Sequence, residues 1–117
     1  MKNFKIEHRT NSGIEVLDLY GELDAHTASQ LEDSLKLLID KGNSSIIVNC
    51  NELEYIASAG LGVFMAYIED VREDGGDIKL TNMNDKVYNV FDLLGFPTLY
   101  DILQEENDAV EKFLNDK

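Results

Sequence analysis

Tyr55-Ile56-Ala57-Ser58-Ala59-Gly60-Leu61-Gly62-Val63 is the stretch on which the reading of this chain turns. Just upstream, Ile46-Ile47-Val48 opens an apolar, β-branched run ending at Cys50, the pattern of a buried strand. Downstream, Leu61, Phe64, Ile68 and Val71 recur at helical spacing between Ala59 and Glu73. Glu69, Asp70, Arg72 and Glu73 give that helix a solvated end, and Gly75-Gly76 stops it. A buried strand feeding an amphipathic helix is half of a βαβ unit, which implies a parallel sheet.

The same grammar extends in both directions. Phe4, Ile6 and His8 alternate with polar residues; Thr10-Asn11-Ser12-Gly13 is turn chemistry, and Ile14 to Tyr20 reads as a more apolar strand. Together they predict a hairpin. Gly21-Glu22-Leu23-Asp24 ends its second strand, after which Ala28, Leu31, Leu35, Leu38 and Ile39 form one helical stripe stopped by Gly42-Asn43. Beyond the central unit, Ile78 to Thr81 predicts a strand, and Val87, Val90, Phe91 and Leu94 a helix closed by Gly95. Leu99 to Leu103 predicts a final edge strand; Val110, Phe113 and Leu114 mark a helix that docks on the core. The expected architecture is a single α/β domain, a mixed β-sheet covered by helices, with right-handed crossovers. If strands 14–20 and 46–50 are parallel neighbours, the loops carrying Asp24 and Ser58 leave the sheet along one edge, where ligands and partners dock in open α/β sheets.

Composition bounds the function. A chain of 117 residues, 44% hydrophobic and 28% charged, is one domain able to bury a real core. With 10 basic and 23 acidic side chains the formal charge is −13, which argues against nucleic acid and anionic membranes as partners. Met1 to Glu7 has no apolar segment of a signal peptide, and Tyr55 to Ile68 is the longest uncharged apolar stretch, 14 residues broken by Gly60 and Gly62. Cys50 is alone and forms no intrachain disulfide. These features predict a cytoplasmic protein.

Ser58 has two readings. It sits where an N-cap belongs, its hydroxyl accepting a first-turn amide proton. It is also placed for phosphorylation, since a phosphate there meets free amides and the positive end of the helix dipole and adds about −1.5 to −2 charge. Gly60 and Gly62 allow close packing on the sheet and close approach by another protein. A Ser58–His26–Asp24 triad lacks a nucleophile elbow; two histidines and one cysteine, widely spaced, make no metal site. A receiver domain would need an acceptor aspartate where Ala57 and Ser58 stand, and an acyl carrier protein would be all helix. Phe64 reads as core, and one of Met65 and Tyr67 must face outward.

Ser58-Ala59-Gly60-Leu61-Gly62-Val63 resembles the Asp-Ser-Ser/Thr/Ala-Gly-Leu-Gly signature of bacterial anti-sigma factor antagonists, small STAS-domain proteins. Gly21-Glu22-Leu23-Asp24 matches the same family's Gly-Glu-Leu/Ile-Asp segment, and the resemblance spans residues 1–117. It implies a binding module and not an enzyme, with no cofactor. Unphosphorylated, such a protein holds an anti-sigma factor that is itself a serine kinase of the histidine-kinase-like ATPase fold, and so frees a sigma factor. Phosphorylation releases it, and a PP2C-type phosphatase resets it. Carried onto this chain, Ser58 is the phosphoacceptor, and Asp24, Ser58, Ala59, Gly60, Leu61 and Gly62 form the partner-binding surface. The chain departs from the family at Ala57, where Asp is usual. The alternative is a STAS scaffold in a larger signalling or transport assembly, with Ser58 only a cap.

Overall fold

The computed structural model describes residues 4–115; what was expected of Met1–Asn3 and of residues 116–117 lies outside them. Five strands and four helices follow one another: β1 (Lys5–Asn11), β2 (Ile14–Leu23), α1 (Ala28–Asp40), β3 (Ser45–Ile56), α2 (Ser58–Glu73), β4 (Asp77–Thr81), α3 (Asp85–Leu93), β5 (Ile102–Leu103) and α4 (Glu106–Asn115). The strands lie in sequence order in one sheet. β1 and β2 are antiparallel and every later pair is parallel, so the mixed sheet with one hairpin edge is as the sequence implied. Ser12 and Gly13 close that hairpin at φ of 56° and 82°, the left-handed pair that matches strand twist.

Every crossover moves the same way across the sheet, and same-handed connections then place every intervening helix on one face. That face holds the main core. Leu31 and Leu35 of α1, Leu61, Phe64 and Val71 of α2, and Val87 and Phe91 of α3 pack on Leu17, Leu19, Val48 and Leu80. Phe91 is the centre of an aromatic row: its ring meets Phe64 at 6.1 Å and Phe96 edge-on at 5.2 Å, and Phe96 stacks on Tyr100 at 4.9 Å.

The opposite face carries a single helix. Ala109 and Val110 of α4 close a small second core with Ile14, Val16 and Ile47. Past α4 that face is polar, a cleft of about 360 Å³ lined by Asp18, Tyr20, Asn49, Asn51 and Glu52. The sheet is thus covered by three helices on one side and by one on the other, with the β1 edge left largely exposed.

Some boundaries differ from the sequence reading. β3 runs six residues beyond Cys50, because Leu53 and Ile56 continue the buried face while Asn51, Glu52, Glu54 and Tyr55 are exposed. Polar residues at exposed positions hid that extension. Leu94 is exposed and only caps α3; Gly95 follows at φ 77°. Phe96–Thr98 form a 3₁₀ turn, and only Ile102 and Leu103 of the expected final strand pair with β4. Leu114 is 45% exposed, so α4 docks through Ala109 and Val110 with Phe113 half-buried.

Candidate functional site

β3 pairs with β4 only as far as Asn49, opposite Thr81, whereas its pairing with β2 continues to Ile56 opposite Leu23. The ends of β2 and β3 therefore overhang the sheet as a two-stranded ledge. Gly21 makes the ledge bend: it sits at φ 91° beside a register shift between Gly21 and Glu22, a backbone shape that favours glycine. The Ala57 amide donates to the Leu23 carbonyl at 2.9 Å and closes the ladder. Asp24 and Ser58 leave this ledge side by side, as parallel pairing requires.

Asp24 is half-buried and its carboxylate is in use. Oδ1 accepts from the His26 amide at 2.9 Å and from the Thr27 hydroxyl at 3.4 Å, while the Asp24 amide donates to Thr27 Oγ1 at 2.9 Å. The Asp24 carbonyl accepts from the amides of Thr27 and Ala28. Asp24 thus builds the turn into α1 and fixes the near wall of the site. His26 is exposed and meets Asp24 through its backbone, not its ring, so the arrangement of a hydrolase triad is not formed.

Ser58 is not the helix cap. Ala57, extended at φ −115° and ψ 171°, holds that position and has no side-chain acceptor to offer; Ser58 is the first residue of α2 and is exposed. The sequence predicted a cap because serine is a good one, but α2 begins at Ser58, one residue before the expected start at Ala59. The consequence is chemical. The Ala57 carbonyl accepts from the Gly60 and Leu61 amides, at 3.0 and 3.4 Å. No side chain caps the turn, and it contains no acidic residue. The hydroxyl therefore stands outside the helix ladder beside the first amides, where the helix dipole favours an anion.

The two glycines behind it differ. A Cβ on Gly60 would lie 2.6 Å from Leu23 Cγ and 2.7 Å from Cδ2, so Gly60 lets the first turn sit directly on the end of β2. A Cβ on Gly62 would meet nothing within 4 Å. The close-packing role expected of both belongs to Gly60 alone. Leu61 is 2% exposed and Gly60 is buried; they anchor the turn, and what faces solvent is Ser58, Gly62 and part of Ala59 and Asp24.

The rim holds residues the sequence reading passed over. Asn84 accepts from the Val87 amide at the start of α3, and its Nδ2 donates to the Leu53 carbonyl at 3.3 Å, roofing the ledge. Lys86 stands 6.0 Å from the ring centre of Tyr55, three residues before Ser58. Of the outward pair on α2, Met65 is exposed at 57% and Tyr67 is half-buried. Cys50 is no nucleophile: burial pushes its thiol up to about 12. Among the described residues no His, Cys, Asp or Glu group is arranged to hold a metal ion.

This fold, with a bare serine at a strand–helix junction beside an aspartate turn, is that of a STAS domain. The STAS domain family model matches residues 5–109, and the chain belongs to that family. It is 27% identical over 109 residues to an anti-sigma-B factor antagonist of Bacillus subtilis, covering 93% of this chain and 99% of that one. It is 27% identical over 97 residues to one of Staphylococcus aureus, covering 83% and 90%. The anti-sigma factor antagonist SpoIIAA, solved unphosphorylated, superposes with TM-score 0.80 at 24% identity over 97% of both chains. The phosphorylated Bacillus SpoIIAA superposes with TM-score 0.70 over 95% and 99%. Among the described residues no helix is long and apolar enough to cross a membrane.

Proposed function

We propose that this chain is an anti-sigma factor antagonist, a cytoplasmic binding module and not an enzyme, switched by phosphorylation of Ser58. The observation that carries this is the Ser58 hydroxyl itself: exposed, first in α2, and free of any capping role. The names of the curated relatives support the partner class. Unphosphorylated, the ledge formed by Asp24, Ser58, Ala59 and Gly62 docks on an anti-sigma factor that is a serine kinase of the histidine-kinase-like ATPase fold, while Gly60 and Leu61 hold the turn from beneath.

The mechanism follows from the turn. The serine oxygen attacks the γ-phosphorus of ATP held by the kinase, the bond to the β-phosphate oxygen breaks, and the kinase's base takes the hydroxyl proton. The product carries about −1.5 to −2 charge at the head of α2. Bound, that surface must shed water, and desolvating a dianion costs more than desolvating a hydroxyl. Against a net charge of −13, one phosphate changes the long-range field of the chain little. Release must therefore arise locally, from bulk and desolvation at the first turn. A PP2C-type phosphatase reverses the step.

Ala57, in place of the family's aspartate, removes a carboxylate that would repel the incoming phosphate. The test is direct. Incubation with the cognate kinase and ATP adds the mass of one phosphate to the wild type and none to Ser58→Ala. Phosphate on another residue, or equal labelling of Ser58→Ala, overturns the reading in favour of a scaffold whose Ser58 has no regulatory part.

A further inference from the structure

Ser58, Gly62, Met65, Glu69 and Arg72 are spaced to fall on one stripe of α2, and all five are exposed. Met65 lies two turns, about 10 Å, from Ser58 along this stripe. Beside it is an apolar groove of about 220 Å³. Met65 and Leu99 form its lips, at 57% and 56% exposure, and Ile68 and Tyr100 its floor, at 9% and 4%.

The groove is held open by design of the surrounding contacts. Arg72 Nε donates to Asp77 Oδ1 at 3.0 Å and Nη2 donates to the Leu99 carbonyl, while the guanidinium lies 5.8 Å from the Tyr100 ring centre. Leu99 is thus a fixed lip and not a frayed turn. A lip whose backbone is already placed adds little backbone ordering cost to binding.

The first turn alone is too small for a specific complex. Stable interfaces bury about 800 Å² on each partner and rest on a few large apolar or aromatic anchors. Ser58, Ala59 and Gly62 offer one hydroxymethyl, one methyl and bare backbone. The contact must extend, and the groove is the exposed apolar surface in line with Ser58 on the same helix.

We propose that the Met65–Leu99 groove is the apolar half of the docking surface for the same anti-sigma factor kinase that engages Ser58. The occupant is a protruding apolar side chain of that kinase, flanked by a lysine or arginine that faces Glu69 at the groove's edge. This rests on the functional reading above, and the experiment separates the two.

Binding of the purified cognate kinase is measured by calorimetry for wild type, Met65→Ser, Leu99→Ser and Ser58→Asp, with phosphorylation kinetics for the first three. Each groove substitution weakens binding about tenfold and raises the KM for this protein about tenfold, with kcat and Tm unchanged, because neither side chain touches the reacting hydroxyl and both are exposed. If both groove variants bind like wild type while Ser58→Asp still weakens the complex, the groove inference falls and the switch stands. If Ser58→Asp also leaves binding unchanged, the switch falls and the inference with it. Sedimentation that shows wild type as a dimer and both groove variants as monomers assigns the groove to a second copy of this chain and overturns the proposal.

Discussion

Among the described residues, α2, α3 and α4 each begin with a residue able to put negative charge on a helix N-terminus, and α4 and α2 use it in opposite ways. Glu106, first in α4, is saturated: both carboxylate oxygens accept from Arg9, Oε2 also from Asn11 at 2.7 Å, and Oε1 also from Asn49 at 2.9 Å. Arg9 in turn holds Asp18 with two nitrogens. Ser58, first in α2, is exposed in an uncapped turn. One start is a structural clasp and the other is an accessible handle. The lesson is that a helix N-terminus stays open to solvent when the fold withholds side chains from it, and not because serine or glycine is present.

A large stability effect falls on the clasp. Glu106→Ala leaves Arg9, Asn11 and Asn49 without their shared acceptor beneath α4, and costs about 2 kcal/mol in urea unfolding. Loss of α4 docking, seen as fast amide exchange in Glu106–Asn115, accompanies it. An unchanged midpoint erases the contrast between the two starts.

Next comes the seat of the handle. Gly60→Ala forces a methyl into Leu23 and costs about 1–3 kcal/mol, with the first turn displaced and binding lost. Gly62→Ala meets open space and gains up to about 1 kcal/mol of helix propensity. Its methyl instead lands on the docking stripe and weakens the complex, so stability and binding move in opposite directions. If the two alanines behave alike, the assignment of Gly60 to packing and Gly62 to approach is wrong.

Acid sharpens the same comparison. Glu106 is held near pH 2, well below its ordinary value of 4.5, by the hydrogen bonds from Arg9 first, then Asn49 and Asn11. A carboxylate lowered in the folded state stabilises fully above its unfolded value and loses that contribution as pH falls through the folded one. Stability therefore declines between about pH 4.5 and 2, and Glu106→Gln flattens that part of the profile. An unaltered slope in the variant shows that other carboxylates govern it. The smallest effect belongs to Ser58→Ala, which shifts stability by less than about 0.5 kcal/mol because the hydroxyl caps nothing. A loss of 1 kcal/mol or more restores the cap reading.

The handle was far more legible in the sequence than the clasp. Period-2 and period-3.6 patterns set the strands and helices, and parallel pairing then brought Asp24 and Ser58 to one edge by arithmetic on local spacing. The Glu106 clasp joins residues up to 97 positions apart, and nothing in one strand's pattern announces such a bond. Lys79 shows the same blindness. The Ile78 to Thr81 pattern marked only a strand, yet Lys79 within it is 2% exposed, bound to Asp77 at 3.1 Å and Asp101 at 2.7 Å, with its ammonium 4.7 Å from the Phe113 ring centre. Ser58 was misplaced by one position for a related reason: Ala57 is held extended by its bond to the Leu23 carbonyl, 34 positions away in sequence, so the helix starts at Ser58 itself.

The central claim is that a phosphate on Ser58 ends the complex with the kinase. The decisive measurement is the Kd of the cognate kinase for this protein before and after stoichiometric phosphorylation, at one salt concentration. Weakening of at least about 100-fold, or roughly 2.7 kcal/mol, is the result this account requires, and equal affinity of the two forms contradicts it.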